Sequence, residues 1–316
     1  MSDNLILIPH IKVQNANALS SPFTIGFPAM TAWMGAVHAL QRRLNLNDMS
    51  VIFSAVGVVV HDFDLQTYKG QGDFVHSVIG TSNPLIPKSE KNKPKGNSVR
   101  PSFIEEARCH LEASLVIEYS GVEAQDEQPM LEQLHQLLLG AMKLAGGDIL
   151  SCGIPDIVRE FDIAKRKLMP GYALIERRDL MQEAMEQRQD AMDAMDAMLD
   201  YLAIHHICIK ENHNSDERVD WQRQRKTTGP NGQVGWIVPI ATGFHGISEL
   251  GNALNQRDPD VPHRFAESVV TLGEFKMPYR LDSPEDLLWR YRVEPENNLY
   301  LCVQQSFKSE TINCDY

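Results

Sequence analysis

The sequence predicts an α+β protein whose first half is a split βαβ unit and whose remainder is added to it. Three observations carry this. Up to Leu150 the segments read strand, helix, strand, strand, helix, strand. One of them, Cys109 to Tyr119, alternates apolar and polar residues at period two, as a half-covered strand does. The composition then shifts over residues 65–107 to Gly, Pro, Lys and Ser, a stretch longer than a loop inside a compact unit should be, so something projects there.

Leu5 to Val13 is the first strand, with His10, Lys12 and Gln14 on one face. It runs into QNANALSSP, where Gln14, Asn15, Asn17, Ser20 and Ser21 crowd amides and hydroxyls into a predicted polar loop before Pro22 and Gly26. Such a loop hydrogen-bonds bases or phosphates, or it caps the ends of its own strand and helix. The helix after Pro28 places Met30, Trp33, Val37, Leu40 and Leu44 on one stripe and Thr31, Gly35, His38, Arg42 and Asn45 on the other. Its last turn carries Arg42 and Arg43, which suit either an anion or the negative end of the helix dipole.

Val51 to Phe63 is nearly continuously apolar and reads as a strand covered on both faces. Residues 65–107 then turn to Gly, Pro, Lys and Ser, with Phe74 to Ile79 as one arm of a hairpin. Lys88, Lys91, Lys93, Lys95 and Arg100 face a single Glu90, so this is the most basic window of the chain. It is a phosphate-binding projection or a solvated loop. In the alternating strand Cys109, Leu111, Ala113, Leu115, Ile117 and Tyr119 face the core, while Arg108, His110, Glu112 and Ser114 face solvent or ligand. A second helix, Met130 to Leu144, carries Lys143 near its end and stops at Ala145, Gly146 and Gly147 before a strand at Asp148 to Leu150. The two glycines permit close backbone approach of a ligand, or are an ordinary helix C-cap. This order of elements is the ferredoxin-like arrangement that also underlies RNA-recognition modules.

Beyond it, Arg159, Lys165, Arg166 and Lys167 precede Pro170, and Gly171 to Ile175 form a short strand. Asp179 to Asp200 reads as one long acidic helix with Met181, Met185, Met192, Met195 and Met198 interleaved as core or partner-facing residues. Residues 212–233 read as a flexible polar connector. Order resumes in GWIVPIATGF and RFAESVVTLGEF, in a helix from Ser283 to Tyr291 and in a strand from Leu299 to Gln304. The predicted division is 1–155, with the insertion at 65–107; 156–234, helical and acidic with the connector; and 235–316, β-rich and packed on the first part.

With 42 acidic and 30 basic residues the net charge is −12, which argues against diffuse nucleic-acid binding and requires any phosphate site to be locally basic. The five cysteines form no CxxC pair, and His205, His206, Cys208 and His213 lack paired ligand spacing, so no metal is expected. The N-terminus lacks the basic flank and apolar run of a signal peptide, and no stretch reaches the length of a membrane span. A soluble, cytoplasmic protein with reduced thiols is expected.

Five blocks, in order, resemble one family: QNANALSSP with GFP and VHALQRRL (Gln14 to Leu44), GAMKLAGGDIL (Gly140 to Leu150), LMPGYALIERRDL (Leu168 to Leu180), GWIVPIATGF (Gly235 to Phe244), and HRFAESVVTLGEF with DLLWRY (His263 to Tyr291). They resemble the Csy-two, or Cas-five-type, family of the type I-F CRISPR surveillance complex. The resemblance implies a non-catalytic, cofactor-free member of the RAMP superfamily with an RNA-recognition-type fold and a thumb-like inserted hairpin. It implies binding of the 5′ handle of the CRISPR RNA, a heterodimer with the large Csy-one subunit and a contact with the Csy-three backbone. Target double-stranded DNA is a further partner considered on the same ground. The residues expected at RNA are then Gln14, Asn15, Asn17, Ser20 and Ser21 in the opening loop, Arg42 and Arg43, Arg108 and His110, Lys143 with Gly146 and Gly147, and the four lysines Lys88, Lys91, Lys93 and Lys95. Two rival readings are a metal-independent endoribonuclease using among His10, His38, His61 and His110, and an adaptor that touches only protein.

Overall fold

The computed structural model describes residues 4–47, 49–78, 86–87, 98–99, 106–187, 193–213, 216–228, 234–256 and 258–304. The first unit is β1 (Leu5–Asn17), α1 (Met30–Asn45), β2 (Ile52–Leu65), β3 (Arg108–Ser120), α2 (Glu127–Ala141) and β4 (Gly147–Ser151). The strands lie in the order β4-β1-β3-β2, each antiparallel to its neighbour. Ile6, Ile8, Val13, Leu115 and Ile117 face α1 and α2, whose Trp33, Leu40, Leu134 and Leu138 complete one core. Leu5, Leu7, Val59 and Val116 form a second core on the opposite face with Phe161 and Ala164. The alternation of β3 is the physical reason for both layers, since successive side chains leave the sheet on opposite sides.

The opening segment is less of a loop than its polarity suggests. β1 continues to Asn17, with positive φ at His10 (51°) and Asn15 (56°) and register shifts against β3 between Ile8 and Ile11 and between Val13 and Ala16. These bulges let a strand carry polar residues while its backbone stays paired. The glycine pair after α2 sits in a different turn from the one its position suggests. α2 stops at Ala141, Met142 is extended, and Lys143–Leu144 pairs with Gly147 and Asp148 as a hairpin. Its two loop residues, Ala145 (φ 48°) and Gly146 (φ 76°), both have the positive φ that a tight turn matching strand twist requires, so this is no helix cap.

The chain continues through β5 (Asp156–Val158), α3 (Phe161–Lys167), β6 (Tyr172–Glu176), α4 (Arg178–Glu186), α5 (Ala194–Leu202), β7 (His205–His213), β8 (Asp216–Gln224), β9 (Trp236–Gly246), β10 (Ala266–Lys276), β11 (Trp289–Glu294) and β12 (Leu299–Gln304). The main sheet extends from β2 through β6, β10, β9, β12 and β11. The last strand returns to the start: β11 meets β2 at Trp289 opposite Val56, along the edge where β6 pairs at Val59 and Val60. Five strands from the C-terminal half thus close a ring against one strand of the first half. Trp289 fills it, fully buried, with its indole N–H donating to the Leu174 carbonyl at 3.0 Å.

Three further expectations change. The acidic helix is two helices, α4 and α5. The second starts afresh because Asp193 accepts from the Asp196 backbone N–H at 2.9 Å in a capping box, and Leu180, Met198 and Tyr201 pack on Ile237 and Leu272. Part of the polar connector, residues 212–213 and 216–224, belongs to a two-stranded ribbon, β7–β8, whose nine register pairs run from His205 opposite Gln224 to His213 opposite Asp216. The helix expected at Ser283 to Tyr291 is a single 3₁₀ turn, Pro284–Asp286, followed by β11, where Trp289, Tyr291 and Val293 recur at period two. Within 65–107 the described strands form two short pairs, Thr67–Tyr68 with Ser77–Val78 and Ile86–Pro87 with Ser98–Val99. Lys88, Lys91, Lys93 and Lys95 lie outside the described residues. No helix among the described residues is long and apolar enough to cross a membrane.

Candidate nucleic-acid interface

Sequence positions 17, 43, 108, 143 and 146 come together in one groove of about 850 Å³ between α1, the end of α2 and the Lys143–Gly147 hairpin. Its wall on α1 is made of Ala29, Ala32, Gly35, Ala36 and Ala39, one stripe of a helix whose other stripe is core. Side chains this small leave the helix backbone close to whatever fills the groove. Arg43, Arg108 and Lys143 line it against a single carboxylate among the described residues, Glu106.

Each cation is held without being fully used. Arg43 donates to the Ala141 carbonyl at the end of α2. Arg108 pairs with Glu106 and donates to the Asn15 carbonyl at 3.3 Å, and the Asn17 backbone N–H donates to the Ala145 carbonyl at 2.8 Å, tying β1 to the turn. Lys143 pairs with Asp148 at 2.6 Å, both side chains being largely exposed. An exposed pair is worth about 0–1 kcal/mol, so Lys143 can exchange Asp148 for a phosphate at little cost.

The other residues named from the sequence are distributed elsewhere. Both amide atoms of Asn17 bond the Leu19 backbone at 3.1 Å, and Ser20 and Ser21 bond Thr24 Oγ1 at 2.9 and 2.7 Å across a small hairpin. These groups stabilise their own turn, the alternative their spacing had left open. Asn15 Oδ1 accepts from Gln66 Nε2 at 2.6 Å, and the Asn15 backbone N–H approaches His110 Nδ1 at 3.3 Å. Gln14 and His110 line a shallow depression of about 300 Å³ with Lys12 and Glu112. Arg42 is exposed on α1 but does not line the groove. Gly147 is buried, and a Cβ there would stand 2.7 Å from Ala16 N and Gln14 O, so its smallness serves the approach of β4 to β1. Gly146, by contrast, is exposed at the groove, where a Cβ would meet only Arg108 at 3.9 Å.

The chain matches the family profile described as CRISPR-associated protein (Cas_Csy2) over residues 6–302. It is 34% identical over 324 residues to "CRISPR-associated protein Csy2" of Pseudomonas aeruginosa (strain UCBPP-PA14), an alignment covering 94% of each chain. The chain belongs to the Csy2 family. As a Csy2-family protein of the type I-F system it takes part in CRISPR defence, and the five blocks of resemblance are accounted for.

In this Csy2-family chain a second cluster lies on the sheet. The His10 and His61 rings stack with centroids 4.3 Å apart. His10 Nδ1 meets Glu112 at 2.6 Å, and Lys12 lies 3.6 Å from the same carboxylate. His61 Nδ1 is 2.6 Å from the Pro170 carbonyl, which can only accept, so that nitrogen carries the proton. Nε2 then accepts from Ser114 Oγ at 2.6 Å. Ser114 is fully buried and also accepts the His10 backbone N–H at 2.9 Å. The cluster draws on three distant stretches, His10 with Lys12, His61, and Glu112 with Ser114, and no sequence signal joins one stretch to another. Burial lowers the His61 pKa below 6.5, with the Pro170 hydrogen bond opposing and His10 adding to the effect. Burial would raise that of Glu112, but the His10 hydrogen bond and Lys12 outweigh it and hold it below 4.5.

The sign of the pH dependence follows. The native state favours neutral His61, so it binds fewer protons than the unfolded chain once the pH falls below about 6.5, and stability is lost from there downward. Glu112 adds a loss only below the carboxylate range. The urea midpoint should fall between pH 7.5 and pH 5.5, and His61→Gln should flatten that fall; a midpoint independent of pH in the parent would refute this.

Proposed function

We propose that this Csy2-family chain is a non-catalytic RNA-binding subunit, holding the 5′ handle of the CRISPR RNA together with the large Csy-one subunit and abutting the Csy-three backbone. The carrying observation is the groove, lined among the described residues by Arg43, Arg108 and Lys143 against one lining carboxylate, Glu106, in a chain of net charge −12, beside a turn whose exposed Gly146 admits a close strand. Phosphates are the ligands such a groove suits, with the Ala/Gly wall of α1 giving the sugar–phosphate chain room. The strand order β4-β1-β3-β2 supports a ferredoxin-like, RAMP-type assignment of the first half, with a thumb-like insertion at 65–107.

One observation favours the cleavage reading, namely the stacked His10–His61 pair. Both His61 nitrogens are engaged, Ser114 is buried and His10 Nδ1 is held by Glu112, so among the described residues this pair offers one unengaged ring nitrogen, His10 Nε2, and a general acid–base pair needs two free groups. Photo-crosslinking of a labelled handle in the assembled complex, run beside a denaturing gel of precursor RNA with chelator, tests the proposal. Adducts on peptides containing Arg43 or Lys143 with intact precursor are expected. Adducts confined to other subunits would leave a protein-only adaptor, and precursor fragments would restore the nuclease.

A further inference from the structure

Among the described residues the ribbon β7–β8 belongs to no larger sheet. A lone two-stranded ribbon is marginally stable in water, so one that carries a large exposed aromatic is incomplete without something against it. Its register sets His206 opposite Arg223 and Cys208 opposite Trp221, and alternation places these four with Val219 on one face. All are exposed, Trp221 by 63%.

At the ribbon's base Arg223 and Arg225 line a cavity of about 600 Å³ with Ile204, Gln224, Thr227 and Val234. No carboxylate among the described residues lines it. Neither arginine has an ion pair among the described residues, whereas the neighbouring Lys226 is 2.7 Å from Asp200 and lies over the Tyr201 ring. The anchor of the ribbon is thus neutralised and its two outer cations are not. In a chain of net charge −12, two such arginines beside a bare indole are the complement of an anion that carries a flat ring.

We propose that the base of the ribbon is a binding site for single-stranded nucleic acid, with an unpaired base stacked on Trp221 and the flanking phosphates on Arg223 and Arg225. A duplex fits less well, because its bases are already stacked on one another. The site shares no lining residue with the α1 groove, and it extends the RNA-binding reading to a second point on the chain.

Fluorescence anisotropy of a labelled oligouridylate, alone and annealed to its complement, on the full chain at several salt concentrations tests this. Trp221→Ala should weaken single-strand binding about 5- to 100-fold, and Trp221→Phe should retain most of it. Arg223→Gln with Arg225→Gln should flatten the log–log salt slope by about 0.7 for each phosphate left without its cation. The phenylalanine variant guards against a folding defect, since it preserves an aromatic ring on the same strand. Unchanged affinity in Trp221→Ala, or an equal loss for the duplex, overturns the proposal. Loss of a co-purifying protein with RNA affinity intact assigns the ribbon to a protein surface and also overturns it. Weakening by ribbon variants but not by groove variants upholds this site while removing the groove reading; the reverse does the opposite.

Discussion

Trp289→Ala should destabilise the protein by about 3–5 kcal/mol, the range for deleting a fully buried large aromatic. The loss has two parts. The cavity lies where β11 meets β2, among residues of the main core, so its walls belong to different strands and cannot collapse together. The Leu174 carbonyl also loses the indole donor it accepts from at 3.0 Å. Trp289→Phe should recover most of the packing but not that hydrogen bond, at a residual cost of about 1 kcal/mol. Urea denaturation of the two variants separates the contributions. A Trp289→Ala cost below about 1 kcal/mol would mean that the ring of strands does not depend on its filling.

The second large effect is expected on RNA. Arg43→Gln, Arg108→Gln and Lys143→Gln together remove the positive charge of the groove while keeping hydrogen-bonding capacity and most of the side-chain length. Each charge-assisted contact is worth about 1.5–3 kcal/mol, so the triple variant should bind handle RNA at least about a hundredfold more weakly. Its salt slope should be shallower by about 2, from roughly 0.7 per phosphate on a single strand. The loss should be the same for a scrambled handle, because these groups neutralise phosphates and read no base edge. Titrations at several salt concentrations on the assembled complex decide it. Wild-type affinity and slope in the triple variant would return Arg43 and Arg108 to their bonds with Ala141, Asn15 and Glu106 and empty the groove of function.

Elements with one buried face were legible in the sequence. α1 matches its stripe because a helix that covers a core must repeat at 3.6 residues, and β3 matches at period two on the face toward α1 and α2; its other face, read as open, instead buries Ser114 and sets Val116 in the second core. The ribbon β7–β8 was missed although Ile207 with Ile209 and Val219 with Trp221 recur at period two: with no face on the main sheet its apolar residues are outnumbered by polar ones, and residues 212–233 read as polar connector. The Ser283 to Tyr291 segment misled because its leucines, Leu287 and Leu288, are buried from an irregular turn rather than from a helix. The groove was half legible. Arg43, Arg108, Lys143 and Gly146 were named singly, yet nothing in a linear order of residues shows that the ends of α1, β3 and α2 converge. Of the Asn and Ser residues that looked most like ligands, Asn17, Ser20 and Ser21 are bonded within their own hairpin, since short polar side chains reach the nearest backbone first, whereas Asn15 reaches across to Gln66.

The meeting of Trp289 with Val56 joins residues from opposite ends of the chain. Synthesis delivers β2 early and its last neighbour late, so until Trp289 has left the ribosome the outer edge of β2 has no permanent partner at Val56. Unpaired edges of apolar strands are where nascent chains associate wrongly. The same sequence distance makes ring closure a late, slow event, because so long a loop must be closed before its pairings reward it. The strand most central to the finished molecule is therefore the one that waits longest to be covered, and it waits in the company of whatever chaperone or subunit reaches it first.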